Sequence, residues 1–339
     1  MSVIHRLRTP EEIALNAGAD LPRLLLPQAD EFAERALRLR ELAAGHPMRD
    51  YLLLMAALAE AQHARLAGYP ELVLPGAAQA DAAAQQGQAL LDAARWPRDP
   101  VWRSEWRALL RHALDRLSTD NPARPAMTAA LVLDDAALEQ QADRLLAGVS
   151  LGLDMALAPL IAAGAQLYFT RLVAAVQAAR PGSFSGTQDE GRCPCCASLP
   201  VASITRVGGG AEGYRYLHCS LCNAEWHMVR VKCTHCRSTG GVRFRSLEAA
   251  AAGAAPANGK RQAVQAETCE HCMHYLKIVH MTQDVQVDPV ADDLATLTLD
   301  LLVSDAGYVR HGSNLLLLFG DDGQLSDDDG APPPGRGPG

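Results

Sequence analysis

The chain has 339 residues, enough for two or three domains of about 100–200 residues each. Hydrophobic residues make up 48% and charged residues 21% of it, with a mean hydropathy of −0.05; this composition excludes wholesale disorder and a polytopic membrane protein. Residues 1–186 carry 18 Arg against 21 acids, residues 187–318 carry 12 basic against 13 acidic side chains, and residues 319–339 carry one Arg against five Asp, so no segment has the concentrated Lys/Arg field that counterion-releasing nucleic-acid binding requires.

The opening MSVIHRLRTPEEIALNAG is charged and has no apolar signal-peptide core, from which a cytoplasmic location is expected. From Gln28 to Gly45, Phe32, Ala36, Leu37, Leu39 and Leu42 recur at helical spacing among Glu and Arg, an amphipathic helix. Similar patterns predict helices over Pro47 to Leu66, Ala77 to Ala94, Ala126 to Leu146 and Gly148 to Ala179, and another that Asp99-Pro100 opens with Val101, Trp102, Trp106, Leu109, Leu110 and Ala113 on one face. Leu145 to Ala165 is long enough to cross a bilayer, but Asp154, Pro159 and several Gly make it a buried helix pair, so no membrane insertion is expected. His63, His112 and Trp96, Trp102 and Trp106 are read as core or interface residues without chemistry. Residues 1–183 thus form an all-α N-terminal bundle, whose apolar faces either pack internally or take a partner helix.

Arg180-Pro181-Gly182-Ser183-Phe184-Ser185-Gly186 has no period and marks a domain boundary. Behind it the period shortens to two at Ile204 to Val207, Tyr214 to His218, Trp226 to Val231, Val242 to Arg245 and Tyr275 to His280, with glycine runs as turns. These short hairpins divide into two small β-rich modules, residues 187–227 and 228–318. Ala249 to Lys260 is expected to be a loop, Leu294 to Val303 a closing helix or strand, and residues 319–339 a disordered tail.

All nine cysteines fall between Cys193 and Cys272, and eight form Cys-x-x-Cys pairs: Cys193/Cys196, Cys219/Cys222, Cys233/Cys236 and Cys269/Cys272. Two residues between cysteines let a tight turn aim both sulfurs at one ion while backbone N–H groups bond the thiolates; two such turns supply a tetrahedral cage for Zn or mononuclear iron. Pairing in sequence order leaves 22 and 32 residues between partners, room for one hairpin each, and needs no threading. The competing pairing joins Cys219/Cys222 to Cys233/Cys236 across ten residues. Thiol–disulfide exchange would require a thioredoxin-like strand–helix unit, and none is visible. Cys195 is read as a non-ligand, and His218, His235, His271 and His274 as orienting neighbours of the cysteines. Spacing alone leaves Zn and Fe open.

A helical domain of about 185 residues followed by RCPCCAS, YLHCSLCNAEWH, VKCTHC and ETCEHCMHYLKIV resembles the FdhE family of formate dehydrogenase accessory proteins, over about residues 20–310. The resemblance implies two rubredoxin-like modules binding two iron ions through the eight paired cysteines, with Zn as the alternative occupant. It also implies a cytoplasmic, non-enzymatic maturation factor that binds the catalytic subunit of respiratory formate dehydrogenase. One departure stands out: Ala197, Asn223, Arg237 and Met273 follow the second cysteine of each pair, where rubredoxin knuckles usually carry Gly. The rival readings are a zinc-ribbon module for nucleic acid or protein, for which Arg230, Lys232, Arg237, Arg243 and Arg245 are the only close basic cluster, and an oxidoreductase, for which no nucleotide loop or nucleophile elbow is present.

Overall fold

A computed structural model describes residues 21–184, 189–247 and 262–318. The expected loop at Ala249 to Lys260 and the expected tail at 319–339 lie outside them. A short strand, β1 (Leu24–Leu25), precedes seven helices: α1 (Glu31–Leu42), α2 (Arg49–Leu66), α3 (Ala77–Gln86), α4 (Val101–Arg116), α5 (Arg124–Leu131), α6 (Asp135–Leu146) and α7 (Ala158–Ala179). The bundle closes around α7, which is buried on nearly every side. Trp106 is fully buried and donates to the Leu160 carbonyl at 2.9 Å. Gly164 permits that approach, since a Cβ there would lie 2.4 Å from Trp106 Cδ1. Trp102 donates to Glu139 and Trp96 to the Tyr168 hydroxyl, the satisfied polar tips of core aromatics. Among the described residues α7 is the one helix long and apolar enough to cross a membrane, and 78% of its apolar window is buried inside the fold.

Three expected helices are shorter than their periodicity. The one from Ala77 stops at Gln86 because Gly87 takes a left-handed conformation (φ 63°). The following segment then crosses to the first cysteine knuckle. Residues 126–146 split at Val132, and Asp134 caps α6 by accepting from the Ala137 N–H. The helix expected from Gly148 begins only at Ala158, after left-handed turns at Gly148 and Gly152 and with Pro159 in its first turn.

The β-rich part contains β2 (Pro200–Thr205), β3 (Arg215–Cys219), β4 (Glu225–Met228), β5 (Val242–Arg245), β6 (Val264–Cys269) and β7 (His274–His280), then α8 (Pro289–Ala295), α9 (Leu297–Asp305) and β8 (Val309–Arg310). Both β2–β3–β4 and β5–β6–β7 are antiparallel meanders. They do not stand apart: β2 pairs in parallel with β7, Ser203 opposite Ile278 and Thr205 opposite His280, giving one eight-stranded sheet in the order β1-β4-β3-β2-β7-β6-β5 with β8 on β7. As a central strand, β2 is buried at every position; its two polar side chains, Ser203 and Thr205, are bonded to Glu267 and His280.

Charged side chains fasten the bundle to this sheet. Arg35 and Arg38 of α1 bond Asp288 and Asp292 around the start of α8, at 3.2 and 2.7 Å. Lys277, fully buried, lies 3.0 Å from Asp293 and 2.5 Å from Asp300, and Arg310 bonds the same two carboxylates. Between the meanders, Arg215 reaches Glu267 at 2.6 Å. Such buried pairs cost several kcal/mol to desolvate, which offsets much of their mutual attraction, so removing one partner costs more than the intact pair contributes.

Candidate metal centres

Each Cys-x-x-Cys pair sits on a turn built in the same way. Ala197, Asn223, Arg237 and Met273 have φ of 61°, 58°, 64° and 58°, and they are the only non-glycine residues with positive φ among the described residues. The four positions where rubredoxin knuckles carry Gly are therefore left-handed despite their side chains, at a cost of roughly 1–2 kcal/mol at Ala197, Arg237 and Met273 and less at Asn223, since Asn tolerates this region. The N–H groups of Ala197, Arg237 and Met273 close the turns on the carbonyls of Cys193, Cys233 and Cys269 at 2.9, 3.1 and 2.9 Å. At the second turn Leu221 and Cys222 N–H groups donate to Cys219 Sγ, both at 3.4 Å.

The turns converge in sequence order. Cys193, Cys196, Cys219 and Cys222 bring their sulfurs together, with Sγ–Sγ separations of 3.5 Å for Cys193–Cys222 and Cys196–Cys219 and 3.6 Å for Cys196–Cys222. Cys233, Cys236, Cys269 and Cys272 form the second quartet, with Cys233–Cys272 and Cys236–Cys269 both at 3.7 Å. Four thiolates on an ion with ~2.3 Å bonds stand roughly 3.7–3.8 Å apart, whereas a disulfide needs about 2.05 Å. All nine cysteines are free. The donor set and spacing thus fit a tetrahedral metal ion in each quartet. Cys195 is buried beside the first quartet and outside its four-sulfur group.

The two quartets differ in their surroundings. The first is wholly buried between bundle and sheet. Leu91 and Ala93, in the segment after α3, donate to the Cys195 and Cys196 carbonyls at 3.0 Å each; Gln166 of α7 donates to the Ser220 carbonyl at 2.8 Å. Asn223 accepts from Arg35 at 3.0 Å and donates to Thr170 at 2.9 Å. His218 bonds Glu225 at 3.0 Å; although burial pushes the Glu225 carboxyl up, that bond and the Arg206 charge hold it below the ordinary range. Burial also pushes the Cys193, Cys219 and Cys222 thiols well up, while hydrogen bonds from its neighbours in the quartet hold Cys196 well below the ordinary thiol range in spite of burial.

The second quartet lies at the surface, with Cys236 and Cys272 half-buried and Met273 41% exposed. His235 and His274 stack face to face beside it, ring centroids 3.7 Å apart and planes 5° from parallel, and His311 meets His235 edge-on at 5.2 Å. His271 is exposed. The sequence gives no local signal for His311, or for Leu91, Ala93 and Gln166, because each arrives from a distant element.

An all-α domain fused to a sheet that carries two four-cysteine knuckle clusters defines a protein of the tetrathiolate-module class, able to hold two metal ions. Family models described as FdhE N-terminal, FdhE central domain and FdhE C-terminal domain match residues 21–183, 192–230 and 231–317. The chain is 36% identical over 307 residues to an FdhE homolog from Cronobacter sakazakii, covering 89% of this chain and 93% of that one. It is 38% identical over 305 residues to one from Edwardsiella ictaluri, covering 88% and 92%. The crystal structure of the FdhE protein from Pseudomonas aeruginosa superposes with a TM-score of 0.73 at 33% identity, covering 88% of this chain and all of that one. The chain belongs to the FdhE family.

Proposed function

We propose that this chain is a cytoplasmic, non-enzymatic maturation factor that binds the catalytic subunit of formate dehydrogenase during its assembly. The eight paired cysteines would hold two iron ions, with zinc as the competing occupant. The observation that carries the reading is the pair of tetrahedrally spaced sulfur quartets in a chain of this family. Iron in a four-thiolate cage can change oxidation state, which zinc cannot; this chain's own residues supply the cage, the N–H groups that temper the sulfur charge, and a helical domain clasped to one cage.

The zinc-ribbon reading for nucleic acid is disfavoured by how the basic cluster is used. Lys232 pairs with Glu190, Arg237 with Asp189 and Arg243 with Glu270, while Arg245 bonds the Tyr308 hydroxyl. Those cations are occupied within the molecule rather than displayed as a field. Anaerobic purification followed by metal analysis and visible absorption tests the iron assignment, since ferric thiolate absorbs visible light and zinc does not. Co-purification with the catalytic subunit of formate dehydrogenase tests the partner, and its absence under anaerobic conditions would defeat that part of the reading.

A further inference from the structure

Besides the two sulfur quartets, one other set of side chains among the described residues has metal-ligand chemistry and spacing, and it shares Cys272 with the second quartet. Ligand atoms of His235, His274 and Cys272 lie within 4.8 Å of one another. His235 occupies the third position of the Cys233 knuckle, and His274 directly follows the left-handed Met273 of the Cys269 knuckle. The two turns that build the second quartet therefore also place these imidazoles. The His274 Nδ1 sits 2.8 Å from the Cys272 carbonyl; donation there fixes the tautomer and leaves the Nε2 lone pair for a ligand, as second-sphere bonds do for metal-binding histidines. His311, whose buried Nε2 has no partner, adds a third ring. A small cavity of about 10 Å³, room for about one water-sized particle, is lined by His235, His274 and His311 together with Cys233 and Cys269 of the quartet, and by Lys232 and Arg215.

We propose that His235, His274 and the Cys272 thiolate form a capture site for a divalent transition-metal ion at the mouth of the second quartet. The inference rests on the reading that this quartet holds a metal. Imidazole and thiolate together suit Fe²⁺, Co²⁺ or Zn²⁺ and not Mg²⁺ or Ca²⁺. An ion with bonds of ~2.0–2.3 Å needs its donors roughly 3.4–3.7 Å apart. Stacked rings cannot both aim in-plane lone pairs at one ion, so His235, which is exposed, turns about its side-chain bonds to meet it. The nearby cations Arg237 and Lys232 are held by Asp189 and Glu190, which lessens their repulsion of the incoming charge. Delivery then exchanges two imidazole bonds for bonds to Cys233, Cys236 and Cys269 while Cys272 stays attached, and the thiol protons displaced by the ion pass to solvent. No electron moves in the exchange. All four cysteines of the first quartet are buried.

The test is anaerobic stopped-flow loading of the metal-free full-length chain with Co²⁺, whose visible bands distinguish mixed nitrogen–sulfur from four-sulfur coordination. The wild type is expected to show an early mixed spectrum that converts to the four-sulfur one. The double variant H235A/H274A should reach the same final spectrum without the early phase and about tenfold more slowly, the lower end of what loss of such groups costs metal sites. H235A alone, at an exposed position, gives the same comparison should the double variant fold poorly. Four-sulfur spectra that form at equal rates in wild type and variants, with no early phase, would overturn the capture site alone. Absence of any four-sulfur spectrum in the wild type would overturn the metal reading of the quartet, and the capture site with it.

Discussion

The two quartets share one knuckle design and differ in what is built around it. Around the first, the bundle contributes two backbone N–H groups from the segment after α3, the Gln166 amide and the Arg35–Thr170 clasp on Asn223, so every sulfur is sealed. Around the second, the neighbours are a meander edge, stacked histidines and an exposed Met273. The same four-thiol chemistry is thereby divided between a centre that welds two domains and a centre that solvent and other molecules can reach. Among the described residues, partly exposed ligand cysteines, Cys236 and Cys272, occur in the second quartet alone.

The largest effect expected from that division concerns single ligands. Cys219→Ser should remove one metal equivalent and at least about 4 kcal/mol of stability, because the site joins the bundle to the sheet. Cys236→Ser should also remove one equivalent yet leave the helical domain folded, with its melting temperature lowered by less than about 5 °C. Thermal unfolding by circular dichroism alongside metal analysis separates the two. Equal destabilisation would erase the distinction between weld and port.

Chelation sharpens the comparison by rate. A zinc-loaded chain exposed to excess chelator should release its two ions in separate phases, the surface quartet first and roughly tenfold or more faster, since its opening needs only local motion. A single phase releasing both ions would mean that the quartets open together.

A third, smaller effect concerns the grip on the first quartet. Gln166→Ala leaves the buried Ser220 carbonyl without the amide that bonds it and should cost about 1–2 kcal/mol by denaturant unfolding. Its effect on chelator release from the surface quartet should be negligible.

Much of this arrangement is legible in the sequence, and the unread part has a common cause. The all-α half, the short β-hairpins and the sequential convergence of the cysteine pairs follow from local period and spacing. Helix ends at Gln86 and Val132 escape a periodicity argument because Gly87 and the Asp134 cap override it. The parallel seam between β2 and β7, and the Arg35 and Arg38 bonds to Asp288 and Asp292, join residues more than 70 positions apart, where no local pattern carries information. Sequence also marks Ala197, Asn223, Arg237 and Met273 as departures from glycine knuckles. The backbone answers that they take the glycine conformation anyway, held at Ala197, Arg237 and Met273 by the hydrogen bonds that close the turns and at Asn223 by the side-chain bonds to Arg35 and Thr170.

That answer yields the finest test, in which one substitution made at two knuckles has opposite signs. Met273→Gly in the surface quartet removes a side chain that is 41% exposed and relieves a left-handed conformation costing ~1–2 kcal/mol. Against this stands the extra freedom glycine gives the unfolded chain, about 0.5–1 kcal/mol, so a net gain of roughly 0.5–1 kcal/mol is expected. Asn223→Gly in the buried quartet relieves less, since Asn tolerates the left-handed region, and it deletes the bonds to Arg35 and Thr170. The fully buried Arg35 guanidinium then loses an acceptor, and a net loss of about 2 kcal/mol should follow. Urea midpoints of the two metal-loaded variants measure both. If Met273→Gly destabilises instead, packing of the methionine side chain outweighs the strain of its left-handed backbone.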